Sequence, residues 1–224
     1  MIDAPSPNYD VRPAGVDMLV LHYTGMQTGQ AALARLRDPQ ARVSAHYLVE
    51  EDGTVYALVP EDKRAWHAGV SFWRGMRGLN DRSVGIEIVN PGHEWGYRPF
   101  PPAQMAAVTQ LCQGILARHP IPARHVVAHA DIAPDRKQDP GELFDWPSLA
   151  RAGIGVWTDE FAQPGDLMAD LAAIGYDTAL PARDVTCAFQ RHFLPGHLSG
   201  LADAPTLGRA AALRALLDRG EGAA

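Results

Sequence analysis

The sequence predicts an α/β protein with a small all-α segment at its C-terminal end. Two observations lead there. Up to about residue 152, short β-rich apolar runs such as VDMLVLH and SVGIEIV take turns with stretches of helical period. Beyond about residue 165 the period is helical alone. The boundaries that follow are residues 1–152 as a first domain, 153–165 as a linker and 166–224 as a three-helix domain.

The elements come in order. Val16 to His22 is an apolar run ended by Thr24-Gly25, which fits a central strand. Gln30 to Arg37 carries Leu33 and Leu36 at helical spacing. The runs 43–49 and 54–59 flank Glu51-Asp52-Gly53, a hairpin signal. Ser83 to Val89 is a further strand, broken by Asn90-Pro91-Gly92. Pro101-Pro102 opens a helix to about Arg118, with Met105, Val108, Leu111, Cys112, Ile115 and Leu116 on its inner face. Val126 to His129 is a last short apolar run, and a short helix follows at 147–152. In GIGVWTDEFAQPG the helical period lapses. It then resumes with Leu167, Leu171 and Ile174, with Val185 and Phe189, and with Leu207, Leu213 and Leu217, broken at Gly175 and Pro181.

Composition narrows the function classes. The 224 residues are 46% hydrophobic and 21% charged, with a net charge of −6. No Lys/Arg run exceeds two residues, which argues against a nucleic-acid groove or an anionic membrane surface. No segment has the length and apolarity to span a bilayer, and the N-terminal stretch has no signal-peptide pattern, so a cytoplasmic location is expected. Cys112 and Cys187 have no motif spacing and read as buried or incidental thiols.

The chemistry concentrates in HADIAPDRKQDPG, residues 129–141. Two prolines and a closing glycine keep it from being one helix. Two strands end in histidine, at His22 and His129. Such residues either cap strands and sit satisfied in the core or converge on a ligand. With Asp139 they would supply two neutral imidazoles and a carboxylate, a three-ligand zinc set with its fourth position open for water. Glu87, alternating with Ile86 and Ile88, either faces solvent or takes a proton from that water. Lys137 is either a solvated loop residue or a cation for a developing oxyanion.

Five motifs in order, HYT at 22–24, SAHYLVEEDG at 44–53, WHAG at 66–69, NDRSVGIEI at 80–88 and AHADIAPDRKQDPG at 128–141, resemble the zinc-dependent N-acetylmuramoyl-L-alanine amidases related to peptidoglycan recognition proteins. Within that family the likeness is to the AmiD-type subgroup, over roughly residues 9–150. The resemblance implies a mixed central β-sheet flanked by helices. It also implies hydrolysis of the bond between the muramic acid lactyl group and L-alanine. It gives His22, His129 and Asp139 as ligands of Zn2+, Glu87 as the catalytic glutamate and Lys137 as the catalytic lysine. Trp66 and His67 are expected along the substrate groove, and Asn80 either touches substrate or holds a turn. His46 and Tyr47 are expected to be structural, although Tyr47 could face the cleft, and Asp131 and Asp135 to cap or brace their loop. His93, His119, His125, His192 and His197 have no motif support.

DLMADLAAIGY, VTCAFQRHFLPG and DAPTLGRAAAL resemble a three-helix peptidoglycan-binding module, with a departure after Phe193 where LPGHLSGLADAPT replaces a tighter turn. Glycan binding and packing against the first domain are equal expectations for it. Since the metal motif ends at Asp139, the first domain is expected to fold and cleave small substrates alone. The partners expected are muropeptides or peptidoglycan fragments, soluble and in the 1,6-anhydro form if the work is recycling in the cytoplasm. An exported or phage-type enzyme on polymeric wall is the rival reading, and a recognition module that binds without cutting is another. Such modules typically lack a zinc ligand, and all three are present here.

Overall fold

Residues 1–221 are described by the structure, a computed structural model. Its centre is a six-stranded sheet. In chain order the strands are β1 (Ile2–Asp3), β2 (Met18–Tyr23), β3 (Tyr47–Val49), β4 (Val55–Ala57), β5 (Ser83–Ile88) and β6 (Val126–Ala128). Their spatial order is β1-β4-β3-β5-β2-β6, parallel at every pairing except β3 with β4. That exception is the hairpin around Glu51-Asp52-Gly53, with Gly53 at φ 88°.

The long central strands β2 and β5 are apolar on both faces, as strands covered on both sides must be. On one face lies α2 (Pro102–Arg118), which buries Val108, Leu111, Cys112 and Ile115. Each such side chain contributes roughly 1.5–3 kcal/mol by leaving water. The buried Gln104 of α2 donates to the carbonyls of Val49 and Val89, tying the helix to the ends of two strands. On the other face α1 (Gly29–Arg37) covers Leu48, Leu58 and Val59 through Ala32 and Leu36. Thr28 caps it by accepting from the Ala31 amide.

The register places the chemistry. In β2 and β5, His22 pairs directly with Glu87, and Leu21 of β2 pairs with Ala128 at the end of β6. His129 is the first residue past β6, where it opens the one-turn α3 (His129–Ile132) and does not extend the strand. α4 (Trp146–Arg151) follows the loop.

The C-terminal segment forms α5 (Leu167–Ile174), α6 (Ala182–Phe193) and α7 (Ala204–Glu221). Their apolar residues Leu171, Val185, Phe189 and Leu213 belong to the same core as Val20, Val127 and Trp146. One continuous core therefore joins the elements on either side of the linker expected at residues 153–165. The segment between is pinned as well: Ile154 is buried, and the Arg209 guanidinium of α7 donates to the Thr158 carbonyl and lies 4.4 Å from the Phe161 ring. Among the described residues, no helix is long and apolar enough to cross a membrane.

Candidate metal centre and active site

Three donor atoms meet at the edge of the sheet. His22 Nδ1 lies 2.9 Å from His129 Nδ1 and 3.1 Å from Asp139 Oδ2, and His129 Nδ1 lies 3.0 Å from the same oxygen. All three residues are buried. His22 comes from β2 and His129 from the start of α3. Asp139 arrives from the loop, held because the Ala130 amide donates to its carbonyl at 2.9 Å. The Asp139–Pro140 peptide is cis.

The hydrogen-bond chain behind His22 determines which of its nitrogens carries the proton. Ser83 Oγ donates to the Leu79 carbonyl at 2.7 Å, so it accepts from His67 Nε2 at 3.2 Å. His67 Nδ1 is then an acceptor, and His22 Nε2 donates to it at 3.0 Å. His129 Nε2 faces the Ala68 carbonyl at 3.3 Å and donates there. Both imidazoles thus turn a bare Nδ1 lone pair toward the Asp139 carboxylate. Three lone pairs about 3 Å apart repel one another and call for a cation between them. Nitrogen and oxygen donors at this separation match the shell of an ion with ligands at ~2.0–2.2 Å.

The titrating groups fit that arrangement. Burial, aided by the neighbouring His129, pushes His22 down to about 4, so it is neutral at pH 7 and able to ligate. Burial works to raise the Asp139 carboxyl, but His129 and His22 outweigh it and hold it far below its usual range. Burial lowers His67 strongly too. Glu87 is raised well above the carboxylate range by burial and by the charge of Asp139. Its Oε2 is buried with no hydrogen-bond partner, an acceptor aimed at something the protein itself does not provide.

A cavity of about 490 Å³ opens over this cluster. Trp66, His67, Glu87, His129, Lys137 and Asp139 line it. Of the residues expected from sequence, the structure therefore gathers His22, His129, Asp139, Glu87 and Lys137 around one point, with Glu87 on the cavity side and not in bulk solvent. Trp66 is half-buried, its indole N–H donating to Asp10 at 2.9 Å. One expectation changes, and one open pair of readings narrows. His67 borders the cavity, but both its ring nitrogens are spent on His22 and Ser83, so neither is left to face the cavity. Asn80 is no part of the cavity wall; its Oδ1 accepts from the amides of His67 and Ala68, holding the turn. His46 and Asp131 are internal as expected, His46 accepting from the Gly85 amide and Asp131 from the Ala128 amide.

Sequence reasoning missed Ser83 and the carbonyls of Leu79 and Ala68. Gly85 was the available signal. A Cβ there would stand 2.5 Å from the His67 ring, so only glycine lets that ring lie against β5.

Comparison with known proteins agrees with this geometry. Residues 12–142 match the profile of a family described as N-acetylmuramoyl-L-alanine amidase. The chain is 43% identical over 229 aligned residues to N-acetylmuramoyl-L-alanine amidase AmiD of Escherichia coli (strain K12), covering 88% of this chain and 82% of that one. It is 40% identical to the 1,6-anhydro-N-acetylmuramyl-L-alanine amidase AmpD of the same organism, over 63% of this chain and 86% of the relative. Among solved structures, the complex of E. coli AmiD with the substrate anhydro-N-acetylmuramic acid-L-Ala-D-gamma-Glu-L-Lys superposes with a TM-score of 0.80 at 42% identity, covering 88% of each chain. AmpDh3 of Pseudomonas aeruginosa with an anhydromuramic pentapeptide gives 0.82 at 33%, covering 92% of this chain and 94% of that one.

Proposed function

The chain belongs to the N-acetylmuramoyl-L-alanine amidase family, and from that premise we propose that it is a zinc enzyme whose metal is held by His22, His129 and Asp139. It hydrolyses the amide between N-acetylmuramic acid and the L-alanine of muropeptides, and its substrates are soluble 1,6-anhydro fragments in peptidoglycan recycling. The observation that carries the metal is the pair of bare Nδ1 lone pairs facing one carboxylate oxygen. Bound there, zinc would polarise the scissile carbonyl and lower the pKa of water.

The chain's own groups do the rest. With the charge of a bound cation offsetting burial and Asp139, the Glu87 carboxylate would take the proton of the attacking water and deliver it to the alanine nitrogen as the C–N bond breaks. Lys137, half-buried in the cavity wall, stabilises the negative charge that develops on the carbonyl oxygen. The products are a muramyl carboxylate and a free peptide amine. His67 fixes the His22 tautomer from behind, as ligand-supporting groups do. The Trp66 ring offers an apolar wall to sugar or peptide.

Metal analysis of the purified protein, joined to mass spectrometry of a digested anhydromuropeptide mixture, tests this reading. About one zinc per chain and release of intact stem peptide are expected. An intact mixture in the presence of bound zinc would overturn the substrate. Cleavage with no bound metal would overturn the mechanism. Small imported fragments would make the cytoplasm the place of work, which fractionation of the native organism checks separately from the chemistry.

A further inference from the structure

We propose that α6 and the turn before it brace the metal-ligand loop, with Tyr176 from the turn and Arg191 and His192 from α6 as positioning residues for His129 and Asp139. The inference rests on the reading of those residues as ligands. The cavity wall runs no further along the chain than Asp139, so the C-terminal helices reach the site through other residues, and the loop is one they touch directly.

The contact is made at both ends of the loop. At its start, Asp131 is 0% exposed and accepts three hydrogen bonds. The Ala128 amide donates at 2.8 Å, the Tyr176 hydroxyl at 2.7 Å and His192 Nδ1 at 2.7 Å. Two of the three donors come from beyond residue 166. The His192 ring is itself held, stacked 3.8 Å from the Trp146 ring. At the loop's end, Arg191 Nε lies 3.6 Å from Glu142 Oε2. Consecutive residues of one helix thus hydrogen-bond Asp131 and stand as an ion pair beside Glu142, and Asp139 lies between those two points in sequence. Between them, the bond from the Ala130 amide to the Asp139 carbonyl ties one ligand's neighbour to the other ligand.

The brace answers a physical need. Ordering each residue of an irregular loop costs roughly 1–2 kcal/mol of backbone entropy. A buried carboxylate such as Asp131 resists displacement, because moving it strands a charge without donors. Anchoring the loop on a packed helix lets the donor atoms stand in place before the metal arrives.

The test uses the full chain. Zinc affinity is measured by competition with a chromophoric chelator, and amide hydrogen exchange is followed in metal-free protein at Ala130, Ala133 and Lys137. Tyr176→Phe and His192→Phe keep their rings but lose their donors. Each is expected to weaken zinc binding about 10–100-fold, as loss of a ligand-supporting partner does, and to speed exchange at those amides. His192→Asn, whose side-chain N–H can stand where Nδ1 stood, is expected to recover most of the affinity, which a merely structural role would not predict. Unchanged affinity in a folded Tyr176→Phe/His192→Phe protein would overturn the brace. Should the variants not fold, metal-free wild type still decides: the loop amides exchange as slowly as those of Val185–Phe193 if the brace holds, and far faster if it does not. A wild-type chain that binds no zinc would defeat the metal reading alone, since exchange is read without metal.

Discussion

Two histidine–carboxylate clusters flank this sheet, and they differ in what they leave unsatisfied. Near the end of α2, Glu61 accepts from the Tyr47 hydroxyl at 2.7 Å, from Arg118 at 2.8 Å and from His119 Nε2 at 2.6 Å. Every charge there has an internal answer. On the other side, His22, His129 and Asp139 crowd three acceptors together, and Glu87 keeps a buried oxygen with no partner. The first cluster is complete as folded, and the second is complete only with something added. Residue types alone would not separate them; the count of donors against acceptors does.

The contrast is broken most directly at Glu87. Glu87→Gln should keep fold and metal yet lower turnover by ~10²–10⁴, since an amide takes no proton from water. Steady-state kinetics beside metal analysis checks this, and near-normal turnover would reduce Glu87 to a strand residue. Lys137→Ala should cost on the order of 10²–10³ in kcat with metal content intact, as loss of one oxyanion donor does. Metal loss in that variant would instead make Lys137 a structural residue of the loop.

The support behind the ligands comes next. His67→Phe removes the acceptor for His22 Nε2–H, and zinc affinity should fall about 10–100-fold while the metal-free protein still folds. An unaltered dissociation constant would mean that the tautomer chain from Leu79 to His22 has no hold on the metal. Glu61→Gln should do the opposite, lowering stability by about 1–3 kcal/mol in urea unfolding while leaving zinc affinity and kcat within about twofold. Any large kinetic loss there would erase the distinction between the clusters.

A last effect, on stability and not on activity, is that of pH. Burial pushes His46, behind the site, down to about 3 and His22 to about 4, against an ordinary value near 6.5. Between those values the unfolded chain binds more protons than the folded one. Stability of the metal-free protein is therefore complete above about pH 6.5 and is lost as pH falls below it, by up to about 1.4 kcal/mol per pH unit for each such histidine. Glu61 is different: burial raises it, but Arg118, Tyr47 and His119 outweigh this and hold it at about 2, so its contribution is lost only below about pH 4.5. Urea midpoints taken from pH 7 to 5 should fall in wild type and in Glu61→Gln alike. Flat midpoints would show these histidines to be less buried in solution than here.

What could be read beforehand follows the same division. β2, β5 and α2 were visible because Leu19, Leu21, Ile86 and Val108 repeat at the period of their elements over six or more residues. The strands Ile2–Asp3 and Phe72–Trp73 are two residues long, too short for any period to register. That His22, His129, Asp139, Glu87 and Lys137 would gather at one place was legible through the ordered motifs. Local pattern alone left both His22 and His129 open to a capping role. The supporting contacts were not legible. Ser83 meets His67 only because β5 carries a glycine two residues on, and His192 meets Asp131 only because α6 packs back over the loop, 61 residues away in sequence. Neither pairing leaves a trace in local composition.

The separation of the ligands along the chain has a consequence for biosynthesis. His22 and Asp139 are 117 residues apart. At a ribosomal rate of about 5–20 residues per second, His22 emerges roughly 6–23 s before its carboxylate partner. During that interval a nascent chain offers a lone imidazole, which competes poorly for an ion against the cell's other chelators. The complete donor set exists only after translation has passed residue 139, and the helix that steadies it comes later still. On the proposed ligand set, loading waits until translation has passed residue 139, and a chain interrupted before that point would leave with no stable metal to carry.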